Sequence, residues 1–159
     1  MAKKSRNVAA VSPARQVTGF IAKFDPAIAK LTRACRAELR KRYPAAIELV
    51  YDNYNALAIG YSPTERTSDV VFSLAVYARG LNLYFMYGRS LPDPDHLLQG
   101  SGTQGAFIRL DGVGKLDDPK VISLIERAVK RQRPTFASKG RGYTVVKSIS
   151  AKQRPRRPE

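Results

Sequence analysis

The spacing of the apolar residues changes twice along the chain, and this change limits the folds that are open to it. Residues 26–42 have the three-to-four-residue period of a helix with one buried face, and residues 118–132 have it again. Between them, apolar and polar residues alternate, as in strands that bury one side. The order helix, several strands, helix predicts an α+β domain. The residues expected to be buried from the helices are Ile28, Leu31, Cys35, Leu39, Leu124 and Ile125.

Short connections separate most of the predicted strands, and strands joined in this way must be antiparallel. The strands are predicted at 46–52, 56–61, 69–78, 81–87 and 106–110, with an edge strand at 143–149. We therefore expect an antiparallel sheet of about five to six strands with two long helices packed on one face. The other sheet face would be at least partly open, and a ligand would bind there or in its loops.

Positive charge is concentrated at the two ends of the chain. Residues 1–15 carry four bases and no acid, and residues 133–159 carry eight bases and one acid, within a net charge of +15. Residues 16–132 are nearly balanced. The composition predicts a disordered basic tail at 1–15, a domain at 16–149 and a basic tail at 150–159. Basic ends on a balanced domain are typical of proteins that bind RNA, DNA or another polyanion, because each neutralised phosphate releases counterions.

The presence of only one cysteine and one histidine in the sequence excludes or disfavours several classes of site. One cysteine and one histidine exclude disulfides, cysteine clusters and multi-histidine metal centres. Cys35 lies on the apolar stripe of the first long helix and is predicted to be a buried structural thiol. His96 follows two prolines and two aspartates in a predicted surface turn, which is an incomplete metal shell. We expect a cytoplasmic, non-enzymatic protein without cofactor or bound metal, and no membrane span.

Residues 100–105 match the pattern G-x-G-x-x-G in their letters only. A dinucleotide fingerprint requires a strand before the glycines and a helix after them, so that the helix N-terminus meets the pyrophosphate. Here a helical turn precedes and a strand follows. The segment is therefore interpreted as a flexible turn that leads into a strand, with backbone N–H groups that can hold a lone anion beside Arg109.

An ordered set of short motifs resembles the YdhG-like domain family, whose members are of unknown function. The resemblance lies in residues 44–54 (Pro-Ala-Ala-Ile-Glu-Leu-Val-Tyr-Asp-Asn-Tyr), 97–102 (Leu-Leu-Gln-Gly-Ser-Gly) and 107–110 (Phe-Ile-Arg-Leu), and in the helix 119–128. It covers residues 16–132 and extends to about residue 150. It implies a fold similar to frataxin, with helices on one face of an antiparallel sheet. Because some members are regarded as iron chaperones, it also implies intracellular iron delivery as an alternative function.

The charge of the first long helix favours a polyanion over iron. An iron site would need carboxylates there, because ferrous and ferric ions prefer oxygen ligands. The outer side of this helix instead carries six bases and one acid. The predicted polyanion-binding residues are Arg33, Arg36 and Arg40 on the helix and Lys152, Arg154, Arg156 and Arg157 in the C-terminal tail.

Tyrosines are frequent in the predicted strands and give a second set of candidates. Tyrosines on an exposed sheet face, with arginines beside them, can stack on bases or hold a carboxylate. The alternative is that they border the core and expose only their hydroxyls, since half of the strand positions must face inward. The predicted ligand-binding residues are Tyr51, Tyr54, Arg89 and Arg109.

Overall fold

The computed structural model describes residues 11–158, and in this part of the chain three α-helices pack against a six-stranded sheet. The helices are α1 (Pro13–Ala22), α2 (Pro26–Arg42) and α3 (Pro119–Arg131). The strands are β1 (Ile47–Asp52), β2 (Leu57–Ser62), β3 (Phe72–Tyr77), β4 (Gly80–Phe85), β5 (Ala106–Leu110) and β6 (Thr144–Ile149). Three short 3-10 helices lie at Thr67–Asp69, Gly88–Ser90 and Val113–Asp117. The predicted α+β class is confirmed.

Proline and short polar caps fix the starts of the helices. Pro13 opens α1, and the Ser12 side chain accepts a hydrogen bond from the Arg15 N–H at 3.2 Å. At α3 the Asp118 carboxylate accepts from the Lys120 N–H at 2.9 Å. Within residues 11–158 the shorter helix α1 precedes the two helices that were predicted, and it begins inside the predicted N-terminal tail. Residues 1–10 of that tail lie outside the described residues.

The sheet is mixed, which corrects the expectation of a purely antiparallel one. Its strand order is β5-β4-β3-β2-β1-β6, and the first five strands are antiparallel neighbours. The sixth strand pairs with β1 in parallel. After β5 the chain passes through α3 to the opposite edge of the sheet, where the Glu48 N–H donates to the Tyr143 carbonyl at 2.8 Å. The chain meets the sheet beside the N-terminal end of β1, so β6 runs in the same direction as β1.

All three helices cover the same face of the sheet, as predicted for α2 and α3. Their inward side chains share one buried cluster with alternate residues of the strands. Of the residues predicted to be buried, Cys35, Leu39, Leu124 and Ile125 are at most 1 % exposed, while Ile28 and Leu31 are partly buried at its margin. The helix layer therefore leaves one sheet face for other contacts.

The second sheet face is half covered by the connection between β2 and β3. Residues 63–71 fold over the β1 and β2 side of that face, and Val70 packs on Gly60 there. The Tyr51 hydroxyl bonds with the Thr67 hydroxyl at 2.6 Å and secures this connection. The remaining part of the face, towards the β1–β2 turn, stays open.

Residues 150–158 form no helix or strand, yet they pack against the domain. The Arg154 N–H donates to the Tyr54 carbonyl at 2.9 Å, and the Gln153 side chain donates to the Asp52 carbonyl at 3.0 Å. Arg156 is only 7 % exposed. The segment predicted as a basic C-terminal tail is therefore held against the domain over residues 150–158.

Candidate functional site

Two clefts beside α2 share the lining residues Ala37 and Arg40, and they are here together called the cationic groove. The first cleft, of about 180 Å³, lies between α1 and α2 and is lined by Thr18, Ile21, Arg33, Arg36, Ala37 and Arg40. The second, of about 470 Å³, follows the end of α2 and is lined by Ala37, Arg40, Lys41, Tyr43, Pro44, Ala46 and Arg141. In the part of the chain that the structure describes, no aspartate or glutamate lines either cleft. The groove thus presents five bases without a lining acid.

Four of these bases have no other partner in the fold. Within residues 11–158, the side chains of Arg33, Arg40, Lys41 and Arg141 make no ion pair and no hydrogen bond, and all four residues are exposed. Arg33 and Arg40 are two helical turns apart, which is about 10 Å along the axis at 1.5 Å per residue. This length corresponds to the rise of about three nucleotides of one strand.

The fifth base, Arg36, is held in a buried network. Its Nε and Nη2 donate to the two carboxylate oxygens of Glu48 at 3.0 and 2.9 Å. The Tyr61 hydroxyl and the Thr144 hydroxyl donate to the same carboxylate at 3.0 and 2.8 Å. Burial alone would raise the pKa of Glu48, but the Arg36 guanidinium, together with the Thr144 hydroxyl and the charge of Arg40, holds that pKa below its usual value. Arg36 therefore anchors α2 to the sheet, and only its edge reaches the groove.

The predicted bases of the C-terminal segment do not join this groove. Neither cleft is lined by any of Lys152, Arg154 or Arg157, although all three residues are exposed. Arg156 Nη2 donates to Asp52 Oδ1 at 2.9 Å and to the Asn53 carbonyl at 2.6 Å, and its guanidinium lies over the Phe24 ring. Because these contacts bury Arg156, its guanidinium is not accessible to a polyanion. This corrects the prediction that Arg156 is a polyanion-binding residue.

The structure separates the four predicted ligand-binding residues. Tyr54 borders a groove on the open sheet face that neither Tyr51 nor the two arginines line. The Tyr51 hydroxyl is bonded to Thr67, as described above. Arg109 donates to the Arg79 carbonyl at 2.7 Å at the edge of the sheet, and Arg89 donates to the Gly102 carbonyl at 2.8 Å. The glycine-rich segment leads into β5, as predicted, but residues 91–99 before it form turns rather than the expected helical turn.

The open-face groove, here called the tyrosine groove, has a volume of about 580 Å³. Ala58 and Ala75 lie directly opposite each other on β2 and β3 and form its floor. Tyr54, Tyr77 and Tyr84 form its sides. Small residues at the centre of the sheet and large aromatic ones around it make a shallow depression of aromatic character.

The single histidine and cysteine have structural surroundings. The Asp93 carboxylate accepts from the N–H groups of Leu97 and Leu98 at 2.9 and 2.8 Å, which closes the turn that contains His96. Cys35 is fully buried, and burial, assisted by Glu38, raises the pKa of its thiol to about 11. A thiol with this pKa stays protonated near neutral pH. The prediction that Cys35 is buried is confirmed.

Sequence reasoning missed Arg141, which contributes to the cationic groove. The Gly142 N–H donates to the Pro44 carbonyl at 2.7 Å, and a Cβ at Gly142 would collide with the Ala46 carbonyl. A glycine is needed for this close approach, which brings Arg141 beside the end of α2. The motif Gly-Arg-Gly at 140–142 was the available signal. Lys41, Tyr77 and Tyr84 were visible in the sequence, but only the folded chain shows that they line grooves.

Comparison of the chain with protein-family models, with curated proteins and with solved structures gives no significant match. In the range 11–158, no three side chains of histidine, cysteine, aspartate or glutamate come together as a possible metal shell. None of the helices in that range has both the length and the apolar character that crossing a bilayer requires. The geometry of the two grooves therefore carries the functional argument.

Proposed function

We propose that the chain is a non-enzymatic module that binds nucleic acid through the cationic groove. The observation that carries this proposal is the set of four exposed bases that have no partner and no acid lining the groove beside them among residues 11–158. Bases that already neutralise a carboxylate have less to gain from a phosphate. Arg33, Arg40, Lys41 and Arg141 are bonded to no carboxylate among residues 11–158, and each phosphate contact that they make releases counterions.

The arrangement of the bases matches a phosphate backbone better than a compact small anion. Arg33, Arg40 and Arg141 are spread along two clefts rather than converging on one point. Arginine also bonds phosphate oxygens with two parallel N–H groups, so such contacts have both strength and direction. The groove contacts the backbone and carries no sequence information by itself.

We also propose that the domain is of the YdhG-like, frataxin-like kind. The order of helix, five antiparallel strands and helix supports this, together with the motifs that suggested the resemblance. The iron-chaperone alternative would need oxygen ligands on the first long helix. The exposed side of α2 instead carries Lys30, Arg33, Arg40 and Lys41. No observation in the described chain favours that alternative.

The test is the affinity for a labelled 20-base-pair duplex at about 150 mM salt, where nonspecific dissociation constants are about 10⁻⁴–10⁻⁶ M. The double variant Arg33→Gln/Arg40→Gln should bind about tenfold more weakly or worse, because two charge-assisted contacts are lost. The control Arg66→Gln/Lys130→Gln removes the same charge from two exposed positions outside the groove and should stay within about twofold of the wild type.

Glutamine retains helix propensity, so neither double variant should unfold the chain. Absence of wild-type binding at this salt concentration would overturn the proposal. Equal losses in the two double variants would also overturn it, because the groove would then contribute only its share of the net charge.

A further inference from the structure

The tyrosines of the open sheet face fall into two groups. The hydroxyls of Tyr51, Tyr87 and Tyr143 all bond to the connection at 63–71: to the Thr67 hydroxyl, the Ser68 carbonyl and the Glu65 carboxylate. These tyrosines hold that connection on the sheet. Within residues 11–158, the hydroxyls of Tyr54, Tyr77 and Tyr84 have no hydrogen-bond partner. Tyr54, Tyr77 and Tyr84 line the tyrosine groove instead, and their hydroxyls hold no other segment of the described chain in place.

Two of the three groove tyrosines are well exposed. Tyr54 is 47 % exposed and Tyr77 is 42 % exposed. Exposure of two large rings on either side of an alanine floor leaves apolar surface that water covers poorly. Gly105 leaves space for the Tyr84 side chain, because a Cβ at position 105 would collide with the Tyr84 ring. Gly105 therefore allows Tyr84 to take its place at the side of the groove.

Positive charge borders the groove. The Arg109 guanidinium lies over Gly80, so that a Cβ at that position would collide with it. Gly80 is the cross-strand partner of Tyr77, which places Arg109 at the rim of the groove. At the other end, Arg154 is held beside Tyr54 through its backbone N–H. No acidic residue of the described chain lines the groove itself. Aromatic rings next to arginines are the combination that binds single-stranded nucleic acid.

We propose that the tyrosine groove binds an unpaired nucleobase, with Arg109 contacting the adjoining phosphate. Bases stack on tyrosine rings, whereas a duplex keeps its bases stacked within the helix and offers none to the groove. The two grooves lie on opposite faces of the sheet, so this is a second site. This inference rests on the proposed function in one respect, because both take the ligand to be a nucleic acid. It adds a preference for single strands that the cationic groove does not supply.

The experiment compares a labelled ten-nucleotide single-stranded RNA with the 20-base-pair duplex, both titrated with the full chain. Tyr54→Ala/Tyr77→Ala should weaken single-strand binding about tenfold and leave duplex binding unchanged, because stacking is lost only for unpaired bases. Tyr54→Phe/Tyr77→Phe should bind the single strand like the wild type, since phenylalanine stacks equally well. Both positions are well exposed, so the variants should fold.

The outcomes separate the two proposals. If the wild type binds neither ligand, the proposed function fails and this inference fails with it. If the wild type binds both and the alanine variant keeps its single-strand affinity, this inference alone is overturned. An equal loss in the phenylalanine variant would also overturn it, because the hydroxyls rather than the rings would then hold the ligand, as for a sugar. Loss in the alanine variant with rescue by phenylalanine is the supporting result.

Discussion

Replacing Arg36 by methionine should lower the free energy of unfolding by about 3–5 kcal/mol, because it leaves the Glu48 carboxylate buried without its counter-ion. Glu48 is 2 % exposed and bonds to Arg36 through both oxygens. Methionine retains the apolar stem of the side chain, so most of the loss is electrostatic. Urea denaturation of the two proteins near neutral pH measures the difference. A loss under about 1 kcal/mol, as for an exposed ion pair, would contradict this account.

The same variant should lose less at acid pH, and the sign follows from the pKa of Glu48. In the wild type this pKa is lowered in the folded state. The resulting stability is present above the unfolded value of about 4.3 and is lost as the pH falls through the folded pKa. Arg36 is the main group that opposes the effect of burial on this carboxyl, so its removal should raise the pKa of Glu48, and protonation should then relieve the variant. The stability deficit should therefore shrink from pH 7 to pH 4, and a constant deficit would contradict this explanation.

Replacing Arg156 by alanine should cost about 3 kcal/mol of unfolding free energy, the lower end expected for breaking a buried ion pair. Its side chain is 5 % exposed and that of Asp52 is not exposed at all. Lys23 Nζ remains 3.1 Å from the other Asp52 oxygen, which limits the loss. Burial would raise the pKa of Asp52, but Gln153, Arg156 and Lys23 together hold it below its usual value.

Arg154 provides the matched control two residues away. Its side chain is exposed and only its backbone N–H is bonded, so Arg154→Ala should change the free energy of unfolding by less than about 0.5 kcal/mol. If the C-terminal segment were an unpacked basic tail, both substitutions would be silent. Thermal or urea unfolding of the two variants distinguishes these outcomes, and equal stability of the Arg156 and Arg154 variants would contradict the packed arrangement.

The sequence predicted those parts of the fold that depend on local periodicity. The apolar spacing of 26–42 and 118–132 predicted two helices on one sheet face, and short connections required antiparallel order from β1 through β4. The parallel pairing of β6 could not be inferred in this way. It depends on the sheet edge at which the chain arrives after α3, and this is decided by packing of the whole helix layer.

The candidate sites show a similar division. Arg33 and Arg40 were identified because helical spacing places them on one face of α2, beside the groove that the fold creates. Arg36 and Arg156 have the same local signature as their neighbours, yet each pairs with a buried acid distant in sequence. Charge alone cannot distinguish a free base from a paired one, because the partner is provided by tertiary structure. Likewise, only the folded chain shows that Tyr51 bonds to Thr67 whereas Tyr54 lines the tyrosine groove.

The most direct test of the nucleic-acid proposal is the slope of log affinity against log salt for the duplex. Each phosphate contact contributes about 0.9 to the magnitude of this slope. Arg33→Gln/Arg40→Gln should therefore reduce it by about 1.8 relative to the wild type, whereas the equally charged control Arg66→Gln/Lys130→Gln should leave it unchanged. If the two double variants have the same slope, phosphates do not occupy the cationic groove and the proposed function is contradicted.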